Sequence, residues 1–332
     1  MSVHVLAPGL LTTLQDGGRR GWRHLGVGTA GALDPFSHAV ANRVVGNPRD
    51  AVTMEISLQG PRLRFDRAAR IAFCGADIDA AADDTALPGW RRVDLPPGST
   101  LALGRCRRGA RTYLAIAGGF AVPSVLGSAS TDLRGGFGGM RGRGLAAGDV
   151  LPVARRPLPD VDAIGIAPWW IDPTPDLDLH RDADHPAVVR VLAGRDALDP
   201  ADALFAPTWR VAPASNRQGL RLQRLTTTGS GAAALQLAHP REAVSEPVAP
   251  GTIQLPPDGG PIVLLSDAQT HGGYPRIGHA IRADWPRLAQ LRPGDALRFQ
   301  PCTADEARRL ACEQRQRLAR IGYAIDARTA TR

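Results

Sequence analysis

The sequence predicts a mainly β protein built of two barrel domains with a few short helices. Three observations carry that prediction. Short β-like runs are punctuated by glycine and proline, a stretch of altered composition lies near the middle, and a weak internal repeat flanks it.

The first element is "LLTTLQ", Leu10 to Gln15, a strand-like run that ends in the loop "DGGRRGWRHL". Next comes "HLGVGTAGALD", His24 to Asp34, which contains G-x-G-x-x-G at Gly26, Gly28 and Gly31. A dinucleotide turn needs a strand directly before those glycines, and the ten-residue loop removes it. A helix start comes next. Asp34 is placed as N-cap, Pro35 sets the first helical φ, and Phe36, Val40 and Val44 form one apolar stripe. The runs "RLRF", "RIAFCG", "STLALG" and "RTYLAIAGG" then read as separate strands up to about residue 155.

From 156 to 186 the chain turns rich in proline and aspartate, which suits an interdomain crossing. "AVVRVLAG" opens a second β-rich block, 187–302. "TADEARRLACEQRQRLARIGYAI" then opens with Thr303 and Glu306 at capping-box spacing and reads as a helix within 303–332. The two blocks echo each other. Gly60-Pro61 precedes a strand, with Trp90 and Cys106 further on; Gly260-Pro261 precedes another, with Trp285 and Cys302 further on. Two related barrels facing each other, with a site between them, is the arrangement expected from this.

Composition narrows the chemistry. The net charge is +8, yet no lysine occurs, so every basic residue is arginine. A Schiff base, a pyridoxal site, a Walker A loop and a biotin-carrying lysine are all excluded from this chain. The arginines are dispersed, without aromatic interleaving, so no nucleic-acid partner is expected. No apolar run reaches membrane-spanning length, and the start "MSVHVLAPGL" lacks a signal-peptide pattern; a cytoplasmic protein is expected. Cys74, Cys106, Cys302 and Cys312 fit neither a disulfide framework nor a zinc site and read as buried thiols. "HRDADH" offers His180 and His185 beside carboxylates, but it reads as a solvated loop, and no metal is inferred.

Three stretches combine glycine with polar groups. In the first, Gln15, Asp16 and Arg19 rim a backbone-lined pocket just past a strand end, with Asp34 at the helix start. In the second, "GSASTDLRGGFGGMRGRGLAAGD", the N–H groups around Arg134, Gly135, Gly136, Gly138 and Gly139 suit an anion nest. In the third, "LLSDAQTHGGYPRIG", a strand feeds into Gln269, Thr270, His271, Gly272, Gly273 and Tyr274. Upstream, "SNRQG" sets Arg217 in a tight turn. Acid–base work falls to His271, Tyr274, Asp16, Asp34 or Glu55, and spacing does not choose among them. The candidate catalytic set is therefore Arg217, Gln269, His271, Tyr274 and Asp34. The candidate substrate-binding set is Gln15, Asp16, Arg19, Gly272, Gly273 and Glu55.

Taken together, these stretches resemble the carboxyltransferase family that includes the C component of bacterial 5-oxoprolinase, KipA, and the corresponding part of urea carboxylase (urea amidolyase). "VLAPGLLTTLQDGGRRGWRHLGVGTAGALDPFSHAVANRVVGN", "STDLRGGFGGMRGRGLAAGD" and "GTIQLPPDGGPIVLLSDAQTHGGYPRIGHAIRADWPRLAQLRPGD" carry the resemblance. It implies two cyclophilin-like β-barrels. It also implies work with a KipI-like protein (the B component) and a LamB/YcsF-like protein (the A component), together opening 5-oxoproline to glutamate at the expense of ATP. Two alternatives come with it: biotin-dependent carboxyl transfer to urea or a similar small amide, and a KipA-like regulatory role. Two departures stand out. Asn216 replaces an aspartate of the family's S-D-R-M-G pattern, which leaves Arg217 without an expected ionic partner. His271 replaces the second threonine of T-T-G-G-Y-P.

Overall fold

Most of the β-like runs become strands, and the glycines between them do less to interrupt the chain than the sequence suggests. The computed structural model describes residues 1–154, 156–174, 177, 179, 185–225, 234–239 and 244–330; His180 lies outside them. The chain divides into two compact units. The first holds Met1–Arg20, Ala30–Leu179 and the C-terminal stretch from Arg315. The second holds Gly21–Thr29 and the chain after Leu179 as far as Gln314. The Pro/Asp-rich stretch thus packs largely with the first unit, where Leu158, Trp169, Ile171 and Leu177 join its core.

In the first unit, β1 (Ser2–Ala7), β2 (Leu11–Gln15), α1 (Pro35–Val44), β3 (Thr53–Ser57), β4 (Arg62–Phe65) and β5 (Ala69–Ala82) come first. They are followed by β6 (Thr85–Ala86), β7 (Val93–Leu95), β8 (Thr100–Ile116), β9 (Val150–Pro152) and β10 (Gly165–Ile166). Together the strands form one ten-stranded sheet. Two expected strands, "STLALG" and "RTYLAIAGG", are a single strand, β8. It pairs with β5 almost throughout, and β4 and then β3 take successive parts of its other edge. Register shifts in the β5–β8 ladder absorb the irregular stretch, so no turn is needed there. One face of the sheet covers an aliphatic core of Val3, Leu14, Met54, Ile56, Leu63, Ile71, Leu101 and Leu114. The other face is covered by α1, whose Phe36, Val40 and Val44 pack with Ala72, Tyr113 and Ala115. The expected cap holds: the Asp34 carboxylate accepts N–H bonds from Phe36 (3.1 Å) and Ser37 (2.9 Å).

In the second unit, β11 (Ala187–Ala193), β12 (Trp209–Val211), β13 (Gly219–Arg224), β14 (Glu246–Pro247), β15 (Thr252–Gln254) and β16 (Ile262–Leu264) lead to β17 (His271–Gly272) and β18 (Arg276–Ala280). The short helix α2 (Trp285–Ala289) and the strand β19 (Ala296–Pro301) complete it. Seven strands close a barrel in the order β11-β18-β15-β16-β13-β12-β19, while β14 and β17 form a separate two-stranded ribbon. Trp209 is almost wholly buried and donates its indole N–H to the Leu204 carbonyl (3.0 Å). The last helix, α3 (Ala304–Ala330), is not short. Thr303 Oγ1 caps it by accepting from the Glu306 N–H (3.2 Å), as the capping-box spacing predicts.

Cys74 and Cys106 are buried and outside any disulfide, whereas Cys302 and Cys312 are only partly covered. Among the described residues, no helix is long and apolar enough to cross a membrane.

His38 of α1 is buried against the sheet, with Nδ1 2.8 Å from Thr53 Oγ1. Burial pulls its imidazole down to about 4, against weaker upward pulls from Asp50, Asp16 and Glu55. The unfolded chain therefore binds the proton first as pH falls. His38 contributes stability that is complete above about pH 6.5 and is lost progressively as pH falls towards 4, at most about 3 kcal/mol. Denaturant titrations between pH 7 and 4.5 should show this slope, and His38→Gln should flatten it.

Candidate functional site

The sequence-derived candidates fall into two groups, one in each unit. In the first unit their polar atoms are spent on holding the chain together. Gln15 sits at the end of β2, fully buried. Its amide N–H2 donates to Thr13 Oγ1 (3.0 Å) and the Thr131 carbonyl (3.2 Å), and its oxygen accepts from the Gly31 N–H (3.1 Å). The next three N–H groups of the chain are also taken. Ala32 donates to the Asp16 carbonyl (3.0 Å), Leu33 to the Glu55 carboxylate (2.9 Å), and Asp34 to Tyr113 Oη (2.8 Å). The Tyr113 hydroxyl in turn donates to Glu55 (2.8 Å), and burial, with the Glu55 and Asp34 charges, pushes that phenol well up. The remaining Asp34 oxygen accepts from the Ser37 hydroxyl (2.6 Å).

These bonds correct the expectation that Gln15, Asp34 and Glu55 face a substrate. All three are at most 1% exposed and serve as internal acceptors for one loop. Asp16 and Arg19 are likewise engaged. The Asp16 carboxylate accepts from the Ser128 and Ser130 hydroxyls (both 2.6 Å) and from the Ala129 (2.7 Å) and Gly18 (2.9 Å) N–H groups. Burial raises its carboxyl, but these four donors together outweigh burial and hold it below the usual value. Arg19 is fully buried, donates to the Val125 (3.0 Å) and Ser130 (2.8 Å) carbonyls, and lies over the Phe137 ring (4.6 Å).

The expected anion nest is occupied by the protein itself. Arg134 N–H (3.1 Å) and Gly135 N–H (2.8 Å) donate to the Asp132 carboxylate, Gly136 N–H to the Asp132 carbonyl (2.9 Å), and Gly139 N–H to the Ala129 carbonyl (2.8 Å). Gly138 has φ +73°, and a Cβ there would overlap the Ser130 carbonyl. Close backbone approach explains that glycine. With an aspartate already seated, these groups do not fit a phosphate.

The second unit differs. Arg217 does have an ionic partner, contrary to the reading of Asn216. Its Nε (2.8 Å) and Nη2 (2.9 Å) grip the Asp267 carboxylate, and both side chains are 3% exposed. The Arg217 carbonyl accepts from Asp267 N–H (3.1 Å) and the Gln218 carbonyl from Leu265 N–H (2.9 Å). Asn216 closes its own turn by accepting from Gln218 N–H (2.8 Å). Arg217 therefore positions the segment after β16 and does not face solvent.

That segment delivers Gln269, His271, Gly272, Gly273 and Tyr274. Gln269 donates to Gln254 Oε1 (3.3 Å), at the end of β15. His271 Nδ1 lies 3.0 Å from Thr270 Oγ1, and His271 and Tyr274 are exposed. Half-buried Gly272 pairs with Glu246 across the β14–β17 ribbon, and half-buried Gly273 follows it.

Sequence reasoning missed three participants. Asp267 lies fifty positions from its partner. Gln254 is 1% exposed, and among the described residues its Nε2 has no hydrogen-bond partner. Arg23, not singled out among the dispersed arginines, donates to the Thr29 hydroxyl (3.4 Å) and to the Val248 and Gln269 (3.2 Å) carbonyls. Burial lowers its guanidinium below the usual arginine value. A polar residue amid the apolar run "TIQLPP" was the one available signal for Gln254.

A mainly β chain with a closed seven-stranded barrel and an amide-lined polar cluster is the class these features define. The carboxyltransferase domain, subdomain A and B, matches residues 25–301, and the chain belongs to that family. It is 36% identical to the C component of 5-oxoprolinase from Escherichia coli, over 97% of this chain and 98% of that protein. It is 33% identical to the same component from Haemophilus influenzae, over 95% and 96%. The crystal structure of the K. lactis urea amidolyase superposes with a TM-score of 0.85 at 30% identity, covering 96% of this chain but 20% of that one.

Removing one member of the buried pair leaves an uncompensated charge. Arg217→Ala should lower unfolding free energy by about 3–5 kcal/mol, measured by chemical denaturation. A loss below about 1 kcal/mol would show the pair to be dispensable.

Proposed function

We propose that this chain acts as the C component of a 5-oxoprolinase, opening 5-oxoproline to glutamate together with the A and B components in the cytoplasm. The observation that carries this reading is two-way coverage. The match to the oxoprolinase components runs over nearly the whole of both chains, whereas the urea amidolyase likeness takes in a fifth of that enzyme.

The chemistry of the second unit is compatible with a small planar amide. Half-buried Gln269 donates to Gln254, which leaves the Gln269 amide oxygen to match a lactam's N–H, and Gly272 of the ribbon lies close to both glutamines. A lactam is resonance-stabilised, and ATP, consumed by the complex, would supply activation of its carbonyl oxygen. The glycine-rich segment of the first unit does not fit the phosphates, so no step of ATP chemistry is assigned to this chain. Its own part is to bind and orient. His271 stands where the family pattern has threonine, so it is given no essential proton transfer; Gln269 and Tyr274 remain as polar contacts.

Carboxyl transfer to urea is the second reading, favoured by the urea amidolyase likeness. Biotin would then have to be carried outside these 332 residues, which contain no lysine.

The test is reconstitution of the chain with the A and B components. Glutamate should form from 5-oxoproline with matching ATP consumption, and urea should not be consumed. ATP use driven by urea and bicarbonate, without glutamate, would replace this reading with the second. In the same assay, His271→Thr should keep turnover within about threefold of the parent, and Gln269→Ala should lower it by roughly a hundredfold.

A further inference from the structure

Arg23 stands apart from the other arginines of its unit. Arg190, Arg217, Arg276, Arg287 and Arg292, each buried or half-buried, all face a carboxylate. Arg23 is half-buried too, yet its partners are one hydroxyl and two carbonyl oxygens, all neutral. Among the described residues no carboxylate lies within ion-pair distance of it. A guanidinium drawn out of water without a counter-charge is costly, and it is the planar two-toothed donor that suits a carboxylate.

Three further contacts tie Arg23 to one place. It donates to the Gln269 carbonyl (3.2 Å), and Gln269 donates to Gln254 (3.3 Å). The buried Gln254 Nε2 has no acceptor among the described residues. Beside it, a Cβ built on Gly272 would stand 2.7 Å from Gln254 Nε2 and 3.4 Å from Gln269 Nε2. Gly272 has no left-handed φ, so room, not backbone conformation, accounts for the glycine. Among the described residues, a cation without a counter-ion and an amide without an acceptor fall in one cluster, where the absent side chain of Gly272 lets the Gln254 amide pack against the ribbon backbone.

We infer that Arg23 and Gln254 form an anion subsite of the second unit that takes the carboxylate of a small ligand, making Arg23 a determinant of specificity for carboxylate-bearing over neutral amides. The inference rests on the reading of the chain as part of a 5-oxoprolinase for the choice of ligand. The electrostatic argument is independent of it. A neutral amide such as urea has nothing to offer the guanidinium, whereas a lactam bearing a carboxylate supplies the missing charge.

Calorimetric titration of the full chain with 5-oxoproline and with pyrrolidin-2-one, the same ring without the carboxylate, tests this. The parent should bind 5-oxoproline at least about tenfold more tightly. Arg23→Gln should erase that preference, bringing the 5-oxoproline affinity down to that for pyrrolidin-2-one, and Arg23→Lys should keep part of it. Gly272→Ala, which displaces only the flexible end of Gln254, should weaken both ligands with the unfolding temperature preserved. Equal affinity for the two lactams, binding of neither at millimolar concentration, or unaltered 5-oxoproline affinity in a folded Arg23→Gln would each overturn the inference. Reconstitution separates the two proposals. Arg23-dependent carboxylate binding without glutamate formation sinks the oxoprolinase reading alone, and glutamate formation with an unaffected Arg23→Gln sinks the subsite alone.

Discussion

Inside the second unit, a guanidinium and a carboxylate neutralise each other out of reach of water, and the candidate site stands on that pair. Arg217 belongs to a turn before β13, and Asp267 to the segment leaving β16. Their two parallel bonds, with the two backbone bonds beside them, fix where the chain leaves the barrel. Everything two to seven residues downstream inherits that position: Gln269, β17 and Tyr274. A buried ion pair gives little net stability compared with an apolar pair, but it tolerates few alternative geometries, because any slip leaves both charges unsolvated. That property suits a support whose task is to place an amide and a glycine within a few ångströms of Gln254.

The first unit solves the opposite problem. Its loops are glycine-rich and long, and the physical difficulty is to satisfy many N–H groups away from regular structure. Four consecutive N–H groups, from Gly31 to Asp34, go to Gln15, Asp16, Glu55 and Tyr113. Asp16 does the same for the segment around Ser128, and Asp132 for the turn after it. Residues that resemble a substrate-binding rim in the sequence are therefore the internal acceptors that make these loops possible. An aspartate beside glycines signals an anion site only when its own oxygens are not already the anion.

How much was legible depends on how local each feature is. The Asp34 and Thr303 caps, the strand at Arg62–Phe65 and the mainly β architecture depend on neighbours a few residues apart, and they could be read directly. The joining of two apparent strands into β8 could not, because ladder partners on both edges override glycine's tendency to punctuate. The site was legible in part. "LLSDAQTHGGYPRIG" was singled out for its polar groups at a strand end, but the partner of Arg217 lies fifty positions away and Arg23 meets residues more than two hundred positions later. No local pattern distinguishes Arg23, which meets neutral carbonyls, from neighbours that solvent or carboxylates neutralise.

The division between satisfied and unsatisfied groups also explains how one scaffold can serve relatives named for different substrates. The parts that fix geometry are self-neutralised. Position 271 is occupied by an exposed histidine whose ring, among the described residues, bonds to the adjacent threonine, so it can vary without disturbing the support. Discrimination must then reside where the protein leaves a group unsatisfied, since a satisfied group has no free energy left to give a ligand. Among the described residues of this cluster, the unmet amide of Gln254 and the guanidinium of Arg23 without a carboxylate meet that condition. Both favour an oxygen-rich ligand, and the charge of Arg23 gives the preference for an anion.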